Sequence, residues 1–268
     1  MRYEPVKELL NRTFRKPLMR RLFYSLLDLL LLRAWHIKRA LKKIAARLSG
    51  SANVLDAGSG LGQYVWRMAR KNRGWKITGI DINREQIADS TEFFNKMGLS
   101  GRVAFRVADL RDFKEADNYD FILSVDVMEH ILEDEKVFRN FYDSMRNNGL
   151  LMISAPSDMG GSDLHDNESF IEEHVRGGYS KLEITEKLGK AGFSDIEVKY
   201  TYGRPGKISW HLSMKVPLVL LGITKLAYIV LPFYYIIVLP FCFILNGLDL
   251  WIDHEAGTGL LVLARKKV

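Results

Sequence analysis

Cysteine is nearly absent: Cys242 is the only one in 268 residues. A single thiol excludes a disulfide framework and any multi-cysteine metal site, and it fits a reducing compartment. Proline is scarce too. There are seven, and Pro217, Pro232 and Pro240 fall within one apolar stretch. A net positive balance is missing from most of the chain. Residues 1–50 carry thirteen Lys and Arg against three acids, a balance of +10, so the other 218 residues sum to −3 although the whole is +7. The basic character belongs to the N-terminus and says nothing about the body. Charge of either sign is missing from residues 226–245, and Lys225 is the only charged residue in 216–248. A 20-residue uncharged run is a membrane-span candidate by length alone. With 47% hydrophobic and 26% charged residues the chain is not disordered, and its length allows a full core.

Between these two ends lies a regular alternation. Short apolar runs at 54–57, 76–81, 103–107, 119–125 and 150–154 predict strands. Helix-like segments follow at 64–71 and 84–97, after Asp109, and at 133–145. Strands alternating with helices mean βαβ units and a parallel sheet covered on both faces. A further helix is expected at 181–191, stopped by Gly192, and final strands at 196–202 and 259–265.

The first predicted strand runs into Asp56-Ala57-Gly58-Ser59-Gly60-Leu61-Gly62. Glycines at a strand-to-helix turn let backbone approach a ligand and aim helix N–H groups at it. The dinucleotide fingerprint needs a third glycine where Gln63 stands, and an acid so close would repel a pyrophosphate. An ammonium group would suit Asp56 instead. Asp81 ends the second strand, where an acid accepts from ribose hydroxyls. Asp109 follows the third, where a carboxylate can accept from an adenine amino group. Adenine, ribose and an amino-acid tail together describe S-adenosyl-L-methionine.

With these residues in this order, the chain resembles the class I S-adenosylmethionine-dependent methyltransferases. The matching segments are 54–62, 77–83, 107–113, 119–131 and 150–156. Asp126-Val127-Met128-Glu129-His130, His174 to Tyr179 and Leu188 to Phe193 are similar to the type 11/12, quinone-biosynthesis-like group. The resemblance implies an α/β Rossmann-like sheet of seven strands, helices on both faces, the last strand antiparallel between the fifth and sixth. It implies that Asp56, Gly58, Gly60 and Gly62 hold the methionine part, Asp81 and Ile82 the ribose, and Ala108, Asp109 and Leu110 the adenine. Val125 lines the methionine end, and Glu129 opens the segment that contacts cofactor. His130, His165 and His174 are the candidate proton acceptors, since a histidine near neutral pKa suits removal of an acceptor proton. His165 and His174 stand nine residues apart, which is no recognisable metal-ligand spacing, so no metal is expected. His36, His211 and His254 receive no role.

In that family a short hairpin joins strands six and seven, whereas here residues 203–257 intervene. Both ends of the insertion return to one sheet, which excludes a single crossing. Two full spans need about 40 apolar residues, more than are present. The three prolines are expected to cut the run into short helices that dip into one leaflet. Leu18, Leu22, Leu26 and Leu29 recur at helical spacing near the N-terminus, so residues 1–50 read as a basic amphipathic region. Arg20-Arg21 before an apolar run resembles a signal peptide, but no small-x-small cleavage site follows at 32–36. The expected organisation is 1–50 as the basic arm, 51–202 as the cofactor-binding core, 203–257 as the apolar insertion and 258–268 as the final strand. The expected protein works at the cytoplasmic face of a membrane, peripheral or monotopic, touching it through 18–32 and 216–248. It would methylate a hydrophobic acceptor such as a lipid, quinone precursor, sterol or polyprenyl-linked molecule. No nucleic-acid partner is expected, because no aromatic-basic RNA motif accompanies the charge. Three alternatives stay open: a soluble enzyme with an apolar lid or dimer interface, an RNA or protein methyltransferase, and a non-catalytic S-adenosylmethionine-binding membrane protein.

Overall fold

The computed structural model describes residues 16–163, 175–224 and 226–267. The expected strands form one seven-stranded sheet. They are β1 (Asn53–Ala57), β2 (Lys76–Asp81), β3 (Val103–Val107), β4 (Tyr119–Val125), β5 (Met145–Pro156), β6 (Ser194–Thr201) and β7 (Gly259–Arg265). Their order is β3-β2-β1-β4-β5-β7-β6. The first five pair in parallel, and β7 is antiparallel to both β5 and β6. The central strands are buried along their length, which is why they read as continuous apolar runs rather than alternating ones. Strand order reverses around β1, so a crevice opens at the carboxyl ends of β1, β2 and β4.

Helices cover both faces. The chain begins with α1 (Pro17–Leu30) and α2 (Leu32–Ala45), separated only by the extended residue Leu31. Next come α3 (Gln63–Lys71), α4 (Arg84–Lys96), α5 (Asp134–Ser144) and α6 (Lys181–Ala191). Asn83 caps α4 by accepting from the Glu85 and Gln86 N–H groups, and Ser180 caps α6 by accepting from Glu183 N–H. Gly192 ends α6 in the left-handed conformation, as its position predicted. One hydrophobic cluster joins α5 and α6 to the sheet through Val137, Phe138, Phe141, Ile184 and Leu188. The other joins α2, α3 and α4 through Ile37, Leu41, Ile44, Val65, Trp66 and Phe94. Thus α2, though basic, shares a core with the body. The helix expected after Asp109 is a hydrogen-bonded turn, with Asp112 and Phe113 N–H donating to the Asp109 carbonyl.

The insertion departs most from expectation. Its first arm is continuous: α7 (Arg204–Trp210), a π-helical turn (His211–Lys215) and α8 (Val216–Ile223). After a short turn comes α9 (Ala227–Trp251), 25 residues long, with Pro232 and Pro240 inside it. The prolines do not cut the run. A proline's fixed φ is helical, so each removes one backbone hydrogen bond without forcing the chain out of the helix. The arms are tied at the π-turn, where the Tyr234 hydroxyl donates to the Leu212 carbonyl (2.7 Å) and Tyr235 to Ser213 (2.9 Å). Cys242 is buried between the arms against Ser209. The result is a helical hairpin with both feet on the sheet. At 1.5 Å per residue α9 is about 37 Å long. It is the one helix among the described residues long and apolar enough to cross a membrane, and only 11% of its most apolar stretch is buried.

Asp249 fixes the hairpin's foot. It is fully buried and accepts from His36 Nε2 of α2 (2.9 Å), from the Gly206 N–H (3.0 Å) and from the Tyr202 N–H (3.2 Å). His254 Nε2 lies 3.1 Å from its other side. Burial opposes its ionisation, but the His36 hydrogen bond and the charges of His254 and His36 hold its carboxyl below the usual range. His36 and His254, which carried no expectation from sequence, therefore join α2, β6 and both arms at one point.

Candidate active site

The Gly-rich turn stands at the crevice. Gly58 and Ser59 N–H groups donate to the Ile80 carbonyl (2.9 and 2.8 Å), and Gly60 N–H donates to Asp81 Oδ2 (2.8 Å). At Gly58 the backbone has φ +81°, and a Cβ there would lie 2.2 Å from Val127 Cγ2. Only glycine fits. Gly62 starts α3, and the Val65 N–H in its first turn reaches Asp56.

Asp56 is 1% exposed, and its Oδ2 has no hydrogen-bond partner. Burial, then the nearby Asp81 carboxylate, pushes its pKa up to about 7. Glu129 is equally buried, its Oε2 is also unpartnered, and burial raises its pKa as well. Two buried carboxyls with vacant acceptor positions are what an ammonium group would satisfy. The residues present fit the methionine end of S-adenosylmethionine on this ground.

The other expected positions fall along the same carboxyl edge. Asp81 ends β2, and its Oδ1 accepts from the Asn83 N–H (2.9 Å). Ile82 is largely exposed beside it. Ala108 follows β3, its N–H on the Asp81 carbonyl (3.1 Å), and Leu110 is buried below. Val125 ends β4 and packs against the α2–α4 core. Asp109 is engaged by its neighbour. Arg111 grips both its oxygens at 2.6–3.1 Å, and this hydrogen bonding lowers the Asp109 pKa. An adenine amino group would have to share that carboxylate with a guanidinium. His130 closes the short helical turn after β4. His165 and His174 lie outside the described residues.

A cavity of about 300 Å³ adjoins this edge. One wall holds Asp126, Glu129, His130 and Ser154 of the core, and the other holds Lys207, Trp210 and His211 of the hairpin's first arm. Arg33, from the first turn of α2, reaches in and ion-pairs with Asp126. Asp126 has φ +52°, a left-handed conformation that aims the residue after β4 off the strand direction. Sequence reasoning missed Arg33, Lys207, Trp210 and His211 because helices far apart in sequence bring them here. Asp126 carried a readable signal, an acid next to the end of a parallel strand.

The segment expected to carry His174 is otherwise a brace. Asp134, buried, accepts from Arg176 (2.6 Å), Tyr179 (2.7 Å) and Lys187 (2.8 Å), which ties the chain after β5 to the turn holding Glu129 and His130. Arg176 also donates to the Ile131 carbonyl (3.0 Å). From the N-terminal side, buried Arg20 of α1 donates to the Leu61 carbonyl (2.7 Å), the Asp89 carbonyl (3.0 Å) and Ser90 Oγ (2.8 Å). Arg20 thus clamps α1 onto the Gly-rich turn, although the charge count placed it in a membrane-facing basic arm. No group of three His, Cys, Asp or Glu side chains among the described residues is arranged to hold a metal.

The sheet order, the Gly-rich turn and the acids at three successive strand ends define a class I S-adenosylmethionine-dependent methyltransferase. Residues 48–192 match the family model described as a methyltransferase domain, and the chain belongs to that family. Phosphoethanolamine N-methyltransferase 1 of Arabidopsis thaliana is 31% identical over 153 residues, 56% of this chain and 30% of its own length. Methyltransferase GfsG of Streptomyces halstedii is 31% identical over 120 residues, 44% of this chain and 43% of its own. The chain therefore spans less than half the length of these curated relatives. Among solved structures, Haemonchus contortus phosphoethanolamine N-methyltransferase 2 with S-adenosyl-L-methionine superposes with a TM-score of 0.63 at 20% identity. That match covers 87% of this chain and 53% of the other, and it speaks for the fold.

Proposed function

We propose that this protein methylates the polar head of a membrane-borne amphiphile at the membrane surface. The observation that carries the reading is the composition of the acceptor cavity: its second wall is the foot of a hairpin whose outer surface is apolar and bare. Ile223, Tyr228, Ile229, Phe233, Ile236, Ile237, Phe241 and Ile244 are each more than 60% exposed. Monomeric soluble proteins rarely show a contiguous apolar surface of this size. On α1, Leu18, Leu22, Leu26 and Leu29 form a second exposed apolar stripe. A hairpin inserted tip-first into the bilayer would put the cavity mouth at headgroup level, so an acceptor could reach the site without leaving the bilayer.

S-adenosylmethionine supplies an electrophilic methyl on a sulfonium. The chain's own task is to orient the acceptor, exclude water and take a proton if the nucleophile carries one. His130 stands in the cavity wall and is the proposed proton acceptor. Arg33, Lys207 and His211 line the same cavity and suit an acceptor with an anionic group beside its nucleophile. The Arabidopsis and Haemonchus relatives are named for phosphoethanolamine, a phosphate-bearing polar acceptor. That name favours a second reading: a soluble phosphorylated amine as acceptor, with the hairpin as a lid or an interface between copies.

Two measurements separate the readings. The full chain is expected to float with liposomes, and a variant with residues 208–248 replaced by a short Gly-Ser linker is expected to remain soluble at the bottom of the gradient. Labelled methyl should pass from S-adenosylmethionine into a total lipid extract and be lost in His130→Ala. Label in water-soluble phosphoamines alone, with equal flotation of both proteins, refutes the membrane reading.

A further inference from the structure

A second cleft, about 210 Å³, opens between α2 and the β6–β7 edge, and none of the expected donor-binding residues lines it. Its wall on the α2 side carries Arg39, Lys43 and Arg47, spaced one helical turn apart. Leu261 and Leu263 of β7 form part of its floor, and Trp251, the last residue of α9, stands at its rim. The Arg39 guanidinium lies over the Trp251 ring, 4.5 Å from its centre, and donates to the Leu250 carbonyl. Two acids also line the cleft, Glu197 and Asp253, and Lys199 pairs with both at 3.4 Å. The side chains of Lys43 and Arg47 make no ion pair or hydrogen bond among the described residues, although the Arg47 backbone N–H donates to the Ile44 carbonyl. The cleft is left with two adjacent unneutralised cations over an apolar floor.

Its position in the fold says what could neutralise them. Trp35 of α2 stacks on Phe243 of α9 (6.1 Å between centres), two turns nearer the hairpin tip than the Arg39–Trp251 contact. From tip to foot the surface therefore changes from bare apolar residues, Tyr228, Phe233 and Phe241 among them, to the stacked Trp35–Phe243 pair, then Arg39 on an exposed Trp251, then Lys43 and Arg47. That is the order met on leaving a bilayer: hydrocarbon, aromatic interface, phosphate layer. We infer that this cleft binds the phosphate of an anionic phospholipid at the membrane surface, with Lys43 and Arg47 on the phosphate and the β7 leucines against the glycerol and upper acyl chain. The inference rests on the membrane reading of the hairpin and adds a lipid class and a site to it.

The test compares vesicles of phosphatidylcholine with vesicles containing about one-third phosphatidylglycerol, at low and high salt. Wild-type protein should bind the anionic vesicles more tightly. Lys43→Gln/Arg47→Gln should reduce that binding by about thirtyfold, from roughly 1 kcal/mol per charge at an anionic surface. Lys38→Gln/Lys42→Gln takes the same charge from exposed positions of the same helix outside the cleft and should have a much smaller effect. Unchanged S-adenosylhomocysteine affinity serves as the folding control for both variants. Equal losses in the two double variants overturn the site and reduce it to diffuse attraction. Saturable binding of free glycerol phosphate that Lys43→Gln/Arg47→Gln abolishes, with no loss of that variant's binding to anionic vesicles, overturns the lipid assignment in favour of a soluble phosphate ligand. Equal wild-type binding to both vesicle types refutes the inference and leaves the hairpin reading standing, whereas binding to neither refutes both.

Discussion

Asp56→Asn tests the cofactor site through stability rather than activity. Asp56 is held at a pKa of about 7 against an ordinary 3.8, first by burial and then by Asp81. For an acid raised in this way the folded state keeps its proton longer than the unfolded state. The free protein therefore loses stability as pH rises from about 4 to about 7, and the loss is complete above that. Three pH units at 1.36 kcal/mol each amount to about 4 kcal/mol. Asparagine does not titrate, so the variant lacks this slope. Its amide nitrogen would occupy the position of the unpartnered Oδ2, where no acceptor waits, at a pH-independent loss of about 1–3 kcal/mol. The two stability curves should cross: the variant less stable near pH 4.5, more stable near pH 8. Urea unfolding of both proteins without ligand, across that range, reads the difference. Cofactor binding should show the reverse dependence in wild type. An ammonium needs the carboxylate, so affinity for S-adenosylhomocysteine should rise up to tenfold per pH unit below 7, with proton release visible by calorimetry in buffers of different ionisation heat. Stability curves that run parallel from pH 4.5 to 8 would refute the argument that Asp56 is a buried, charge-starved carboxyl.

Two further substitutions probe the geometry around it. Gly58→Ala should lose donor affinity and at least about 1–2 kcal/mol of stability for the left-handed backbone alone. Adding Val127→Ala should recover the part due to the 2.2 Å clash but not the backbone part, as read by thermal unfolding and calorimetry. Asp249→Asn should destabilise the chain by about 3–5 kcal/mol, since it leaves His36 and His254 beside an uncharged group in a buried site. The Asp249 pKa is held down, so its contribution is present above about pH 4 and lost below it; a variant as stable as wild type at pH 7 would contradict the keystone role.

Local chemistry made most of the core readable. Strands flanked by glycines and acids announce a parallel sheet because buried strands must be uniformly apolar, and β7 was bounded correctly at both ends by its polar neighbours. Asp56, Gly58 and Asp81 were legible because turn conformation and charge at a strand end are properties of a few adjacent residues. Features that depend on packing between distant segments were not. Proline read as a breaker, yet α9 runs through Pro232 and Pro240, because a helix without competing partners keeps its conformation at the loss of single hydrogen bonds. Asp109 read as free for adenine, and only the structure shows Arg111 folded back on it.

Arg20 and Arg39 mark the same limit from another side. Counting charge put both in a membrane arm. In the fold one is buried against the Gly-rich turn and the other lies on Trp251, the last residue of α9. Among the described residues, the cations of this region therefore divide by depth: Arg20 is buried and holds α1 onto the core, whereas Lys16, Arg21, Lys38, Lys42, Lys43 and Arg47 are exposed. The apolar insertion and the basic arm are joined through α2, by Asp249 with His36, Trp35 with Phe243, and Arg39 with Trp251. Arg33 of the same helix lines the cavity beside the hairpin's first arm and pairs with Asp126. The surface proposed to touch the bilayer and the cavity proposed to hold the acceptor are thus joined through one helix, α2.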